Sequence, residues 1–320
     1  MRVTFRKERS VRYSVFGLVK QFFVASVLWG ITILSAQAAG PSRVIEGFAS
    51  PESVLKDPQR PYVYVSNVGK ELRPTAKDGD GFISRLSARG DILEKRYLPV
   101  EGTLNAPKGM AMIRRTLFVA DIDRIVGFNV DTRQQVFVLD FSAEGTRFLN
   151  DLTVIDDKTL MVSATDKGTI YQVSLAGSPR IRTVARGIEG VNGLYFDPDS
   201  GRIYVVSFGE NGHVGVLQQG KEGWRYHALT GSIGQLDGVA LLSDREVLFS
   251  DWQHASEGTP LGVYHLRTGK VSFLSLGVSV DGPADFFYDQ VTRQLWLPRM
   301  KENKVLIEPF PLNGLLSPQK

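Results

Sequence analysis

The chain of 320 residues contains no cysteine and only four histidines. The absence of cysteine excludes disulfide bonds, thiolate catalysis, cysteine-ligated zinc and an anchor built on a lipid-modified cysteine. The few histidines form no cluster that would select a softer transition metal. A metal site in this protein must therefore be built from oxygen ligands.

Several other signals are missing. The sequence has neither the Gly-x-Ser-x-Gly elbow of the α/β-hydrolases nor the Gly-Lys-Ser/Thr end of a phosphate-binding loop. No helix-period pattern of useful length occurs after residue 40. These absences argue against a serine hydrolase and a P-loop nucleotidase, and they favour an all-β fold.

The N-terminal residues have the features of a secretory signal. Basic residues precede an apolar run from Phe22 to Leu34, and Ala36-Gln37-Ala38 matches an A-x-A cleavage site. An uncleaved anchor is the alternative, but the apolar run is short for a membrane-spanning helix. We therefore predict a cleaved signal peptide over residues 1–38, a single domain over 39–320, and a periplasmic or secreted protein with no stable membrane span.

The formal net charge of +4 comes from this N-terminal segment. Residues 1–38 hold six basic residues and one acidic residue, which leaves 32 basic and 33 acidic residues in the rest of the chain. A domain with a net charge of −1 offers no electrostatic reason to bind nucleic acid or an anionic membrane.

A short phrase recurs six times along the chain. A polar or small residue begins an apolar strand, a turn follows, and a second apolar strand ends in a small or polar residue, most clearly in Val191–Asp197 and Arg202–Ser207. The phrases are anchored at Glu52, Lys108, Asn150, Asn192, Asp237 and Ala284. The anchor spacings of 56, 42, 42, 45 and 47 residues are close to the ~40–50 residues of a propeller blade.

The repeats predict a six-bladed β-propeller with four-stranded blades. The sixth repeat shows only three strands, while Arg43–Phe48 is a strand without a neighbour in sequence. We therefore expect the N-terminal strand to complete the last blade, which closes the ring and covers an edge.

Equivalent positions of a propeller lie in one ring around the central channel. Four anchors, Glu52, Asn150, Asn192 and Asp237, carry carboxylate or amide oxygens, the ligands that Ca²⁺ prefers. The alternative is that Asn-Gly, Asn-Asp and Asp-Gly are ordinary turn sequences. The same phase in successive repeats favours a cation site.

Three further residues are candidates for binding a ligand. Lys108 occupies the ring position of blade two, where its ammonium would repel a cation. It could instead replace the cation by pairing with Glu52 or Asp237, or it could bind a substrate anion. The remaining alternative is that its side chain points to solvent. Trp252 and His254 follow the second strand of blade five, where they offer an apolar wall and a candidate general base. A solvated histidine on a polar loop is the alternative for His254.

The phrases Asn150-Asp151, Val191–Leu194 and Leu236–Gly238 resemble those of the six-bladed propellers of the regucalcin/gluconolactonase type, also known as the senescence marker protein/gluconolactonase/luciferin-regenerating enzyme type, and of paraoxonase-like propellers. The resemblance covers residues 43–312. It implies a divalent metal, with Ca²⁺ as the first candidate, held by Glu52, Asn192 and Asp237. By the same resemblance Asn150 would help to hold metal or substrate and Asp237 would activate water, so both are catalytic candidates.

The resemblance implies metal-dependent hydrolysis of a small lactone or ester. Lys108 departs from it, as does Arg147, which precedes Asn150 by three residues where some members have Arg-x-Asn. The alternative function is a non-catalytic binding propeller. Such a protein would hold a small ligand at the channel mouth or a protein partner on the polar loop of residues 67–80.

Overall fold

The computed structural model describes residues 41–310, which form 24 β-strands. They are arranged in six four-stranded antiparallel sheets, as the repeats predict. The predicted signal peptide lies outside the described residues. Within the described range no helix is long and apolar enough to cross a membrane.

The chain enters through β1 (Arg43–Glu46) and then builds the blades in sequence order, each from its innermost strand outward. Blade one contains β2 (Pro51–Lys56), β3 (Tyr62–Asn67), β4 (Phe82–Ser87) and β5 (Ile92–Leu98). Blade two contains β6 (Pro107–Ile113), β7 (Thr116–Asp121), β8 (Arg124–Asn129) and β9 (Gln135–Asp140). Blade three contains β10 (Leu149–Asp156), β11 (Thr159–Ala164), β12 (Thr169–Ser174) and β13 (Arg180–Ala185).

The remaining blades follow the same plan. Blade four contains β14 (Val191–Asp197), β15 (Arg202–Ser207), β16 (Val214–Gly220) and β17 (Gly223–Ala228). Blade five contains β18 (Leu236–Ser243), β19 (Glu246–Asp251), β20 (Leu261–His265) and β21 (Val271–Leu274), with the short helix α1 (Trp252–Ala255) after β19. Blade six contains β22 (Phe287–Asp289), β23 (Gln294–Arg299) and β24 (Lys304–Pro309).

The ring closes through the N-terminal strand, as predicted. The order of the last sheet is β1-β24-β23-β22, and Ile45 pairs with Val305 in antiparallel register. Blade six then meets blade one through a parallel bridge between Ser53 and Asp285. The innermost strand β22 begins only at Phe287, because isolated bridges at Pro283 and Asp285 are the only sheet pairing just before it.

The hydrophobic core is divided among the blade interfaces. The strands alternate, so each sheet buries one face against the preceding blade and the other against the next. Between blades six and one, for example, Ile45, Val54, Val65, Trp296 and Ile307 pack together. Comparable clusters fill the other five interfaces of the described domain.

Replacing Ile45 with alanine tests the contribution of β1 to this closure. Ile45 is 6% exposed in the interface between blades six and one, whereas its neighbour Val44 is 40% exposed. We expect Ile45→Ala to lower the free energy of unfolding by about 2–5 kcal/mol. The control Val44→Ala should change it by less than about 0.5 kcal/mol. Equal effects of the two variants in urea titrations would contradict a packed closing strand.

Candidate functional site

Four innermost strands contribute the four predicted oxygen ligands at the same point of each repeat. Glu52, Asn150, Asn192 and Asp237 each lie at the second residue of β2, β10, β14 and β18. In every one of these blades the pairing with the next strand is interrupted there by a register shift, for example between Leu236 and Val239. Such irregularities free a side chain from the strict alternation of a strand. At these four positions the interrupted pairing therefore allows the side chain to leave the direction that a regular strand would give it.

Each of the four residues has a buried oxygen without a hydrogen-bond donor. The atoms are Oε2 of Glu52, Oδ1 of Asn150, Oδ1 of Asn192 and Oδ1 of Asp237. The residues themselves are 4–5% exposed. A buried acceptor without a donor costs free energy, and a cation is a partner that satisfies several acceptors together. We name these four residues the oxygen quartet.

The oxygen quartet fits a hard cation by its chemistry. It combines two carboxylates with two amide oxygens, and no softer ligand is among them. Among residues 41–310 no group of three or more His, Cys, Asp and Glu side chains is arranged to hold a metal ion. A metal site in the described part of the chain therefore depends on the two asparagine oxygens.

Buried carboxylates make this region electrostatically unfavourable without a cation. Burial raises the pKa of Asp237 to about 8, and the charge of Asp285 adds to this effect. Burial also raises the pKa of Asp285 to about 7. The pKa of Glu52 lies well above its usual range because of burial and, next, the charges of Asp237 and Asp285. A divalent ion would stabilise the ionised forms.

Asp151 and Asp285 are acidic residues of this region that the sequence pattern did not indicate. Each follows the anchor of its blade by one residue and connects two blades. The Asp151 carboxylate accepts hydrogen bonds from the backbone N–H of Leu152 at 2.6 Å and of Leu194 in blade four at 2.7 Å. The Ser53 hydroxyl of blade one donates to Asp285 at 2.5 Å. Burial raises the pKa of Asp151 as well, with the charge of Asp285 as the next cause.

The sequence does contain a signal for the positions that follow the anchors by one residue, which form a second row beside the first. The equivalent residue in blades two, four and five is glycine, because neighbouring inner strands come close together there. A Cβ at Gly109 would lie 2.5 Å from Asp151 Cα, and one at Gly238 would lie 2.9 Å from Asp285 Cα. At Gly193 it would collide with the carbonyl oxygen of Asp237. Glycine at these positions therefore indicates that the next blade is close, so a larger side chain at an equivalent position must contact that blade.

Lys108 is buried and does not point to solvent. It is 1% exposed, and its Nζ donates to the carbonyl oxygens of Pro74 at 2.7 Å and Ala106 at 3.0 Å. The ammonium also lies 4.7 Å from the ring centroid of Phe148. It forms no salt bridge with Glu52 or Asp237 within 4.0 Å, so it leaves the quartet oxygens free. Burial lowers the pKa of Lys108 to about 8, although the Glu52 charge opposes the shift.

Trp252 lies beside the oxygen quartet. Its indole Nε1 donates to Asp237 Oδ2 at 2.9 Å, which leaves Oδ1 as the free oxygen of that carboxylate. Its ring is nearly perpendicular to that of Phe208, at a centroid distance of 5.6 Å. Trp252 therefore both orients Asp237 and supplies an aromatic surface next to it.

His254 makes its contacts away from the oxygen quartet. Its Nδ1 forms a 2.5 Å hydrogen bond with Asp251 Oδ2, and its ring stacks on Phe273 at 3.9 Å. Phe273 belongs to β21, the outermost strand of the blade. Asp251 also accepts from the Gln253 N–H at the start of α1, so the carboxylate fixes both the helix and the histidine. These contacts give no support to the predicted role of His254 in substrate binding, which stays a prediction.

An apolar cluster lies at the mouth of the channel. It comprises Val68, Ala106, Ile122, Ala284 and Met300, with Trp252 packed against it. Three of these residues follow the second strands of their blades, which end where the innermost strands begin. The mouth cluster therefore lies at the end of the blades where the innermost strands carry the oxygen quartet.

Comparison with known proteins supports the fold. No protein-family model and no curated protein sequence matches the chain. A gluconolactonase structure from Xanthomonas campestris is similar with a TM-score of 0.63 and 15% identity, over 86% of this chain and 91% of that one. A virginiamycin B lyase from Staphylococcus aureus is similar with a TM-score of 0.53 and 12% identity, over 83% and 98%. At these identities the comparisons show a shared propeller fold.

Proposed function

We propose that this protein is a metal-dependent hydrolase of a small lactone or ester. The observation that carries the proposal is the oxygen quartet, four buried acceptors from four blades that all lack a donor. The similarity to a gluconolactonase propeller adds support at the level of the fold. Glu52, Asn150, Asn192 and Asp237 would hold the cation, for which Ca²⁺ is the best candidate because all ligands are hard oxygens.

When bound, the cation would polarise a substrate carbonyl and lower the pKa of a water molecule. The protein's own groups would do the rest. Trp252 orients Asp237 through Oδ2, so Oδ1 would serve both as a ligand of the cation and as the acceptor of a proton from water. Asn150 would orient the substrate, and the aromatic faces of Trp252 and Phe208 would contact its apolar part.

A binding propeller without catalytic activity is the second candidate. The low exposure of the oxygen quartet favours it, since a cation held by buried side chains can stabilise the ring without contacting a substrate. The mouth or the loop of residues 67–80 would then recognise a small molecule or a protein partner. Both candidate functions include a bound metal ion, but only the hydrolase converts a substrate.

Hydrolysis assays of the metal-stripped and reloaded protein separate these candidates. We expect turnover of γ-butyrolactone, glucono-1,5-lactone or phenyl acetate after Ca²⁺ is added, and a return to the uncatalysed rate after chelation. Proton release in a pH-stat measures the reaction. Binding of Ca²⁺ without turnover of any of the three compounds would contradict the hydrolase and favour the binding propeller.

A further inference from the structure

Lys108 is a buried cation with no carboxylate in direct contact among the described residues, although the charges of Glu52 and Asp121 act on it from further away. No carboxylate oxygen of residues 41–310 lies within 4.0 Å of its Nζ, although the residue is 1% exposed. Two backbone carbonyls and the face of Phe148 surround the ammonium instead. Lysine is almost never fully buried unless it is paired. The position is therefore suited to an anion that these residues do not provide.

The carbonyl that contacts Lys108 from outside its own blade belongs to the long surface loop of blade one. Residues 68–81 connect β3 to β4, whereas the equivalent connection of blade two is only Ile122 and Asp123. Around Pro74 the loop is a turn closed by the Ala76 N–H to Arg73 carbonyl hydrogen bond. Its side chains there are exposed or half-buried, and Leu72 is 40% exposed. Little packing therefore opposes a displacement of this carbonyl.

A carboxylate is a stronger partner for the ammonium than the Pro74 carbonyl. A carboxylate carries a full negative charge, whereas a carbonyl oxygen carries only a partial one, and the low dielectric of a buried site increases this difference in attraction. Phe148 adds only a weak attraction from its ring face. Because Lys108 lies between Glu52 and Asn150 in the ring order, it borders the oxygen quartet on the side of blade two.

We propose that Lys108 binds a carboxylate carried by the substrate, and that the Pro74 carbonyl occupies this position when no substrate is bound. The inference rests on the proposed function, since it names the substrates of that site as lactones or esters with an anionic group close to the reacting carbonyl. Lys108 thereby determines specificity, and the loop of residues 68–81 moves when its carbonyl is displaced.

A pair of substrates that differ only in charge tests this inference. We expect 5-oxotetrahydrofuran-2-carboxylate to be hydrolysed with a kcat/KM about 10- to 100-fold above that of its carboxamide. In Lys108→Met the ratio should fall to about one. Lys221→Met is the control, because Lys221 is exposed on the turn between β16 and β17, outside the loop, and it should keep the wild-type ratio.

A binding measurement keeps this test independent of catalysis. Calorimetry on the Ca²⁺-loaded protein compares tetrahydrofuran-2-carboxylate with tetrahydrofuran-2-carboxamide, neither of which contains a lactone. We expect the carboxylate to bind at least about 10-fold more tightly in the wild type. That preference in a protein without lactonase activity would reject the hydrolase and retain the Lys108 site. Equal affinities, or no binding of the carboxylate, would overturn the inference even if Lys108→Met fails to fold.

Discussion

Replacing Asp237 with asparagine is expected to lower lactone turnover by about 10²–10⁴-fold while the propeller stays folded. Asparagine has nearly the same shape as aspartate, and its side-chain oxygen can still accept the hydrogen bond of Trp252 Nε1. The substitution removes the negative charge that would bind the cation and the basic oxygen that would take a proton. Both losses act on the reaction and leave the packing in place.

The stability of this variant provides an internal check. Asp237 shares its surroundings with the charges of Asp285 and Glu52, and burial raises its pKa to about 8. A neutral amide relieves this repulsion, so we expect the metal-free variant to melt no lower than the metal-free wild type at pH 8. Circular dichroism and a thermal melt should accompany the assay.

A control variant tests whether the effect depends on losing a negative charge at position 237 or on losing one anywhere in the protein. Asp244 has a side chain that is 77% exposed next to Arg245, so Asp244→Asn should hydrolyse lactones at the wild-type rate. Wild-type turnover in Asp237→Asn would contradict its assignment as a metal ligand and base. A variant that unfolds would show instead that the carboxylate is needed to build the channel.

Calcium is expected to raise the melting temperature, and by more at higher pH. At about 100 times its dissociation constant a ligand adds about 2.7 kcal/mol, which corresponds to about 5 °C for a domain of this size. The cation competes with protons for the oxygen quartet, because Glu52 and Asp237 must ionise to bind it. The calcium-induced increase should therefore grow between about pH 6 and pH 8.5.

The metal-free protein should show the opposite trend with pH. The folded-state pKa values of Asp237, about 8, and Asp285, about 7, exceed the value of about 4 in an unfolded chain. Between about pH 4 and pH 8 the folded protein therefore binds more protons than the unfolded protein, and its stability falls as the pH rises. Calcium should remove most of this decline.

Differential scanning fluorimetry across pH 5–9 measures both trends. The protein is melted in chelator, in Ca²⁺, and in NaCl of equal ionic strength, which controls for general screening. The increase caused by Ca²⁺ should be lost in Asp237→Asn. A melting temperature that is unchanged by Ca²⁺, Mg²⁺ and Mn²⁺ at every pH would argue against a metal in the channel.

The repeat phase makes much of this molecule predictable from its sequence. Anchors spaced by about one blade have to lie at equivalent places of a closed ring, so the phase alone groups four residues that are far apart in the chain, Glu52, Asn150, Asn192 and Asp237. The single strand at Arg43–Phe48 matches the strand that blade six lacks. Both inferences use only the period of the chain and the pairing needs of a sheet edge.

The features that could not be predicted depend on contacts that do not recur from one blade to the next. Asp151 and Asp285 look like turn residues, and only the close approach of neighbouring inner strands makes them links between blades. The partner of Lys108 is a carbonyl in an irregular loop, so no pattern could indicate it. The direction of His254 follows from the helix that begins at Trp252, whose start depends on the local hydrogen bonds of Asp251.

The pairing of β1 with β24 has a consequence for the order of folding. The two strands that close the ring are the first and the last of the described chain, so the seam cannot form until nearly the whole domain is available, whether on the ribosome or after export. Until residue 309 is available, β1 and blade one present unpaired edges. These edges would invite pairing with other chains, so the step most in need of a chaperone falls at the end of folding.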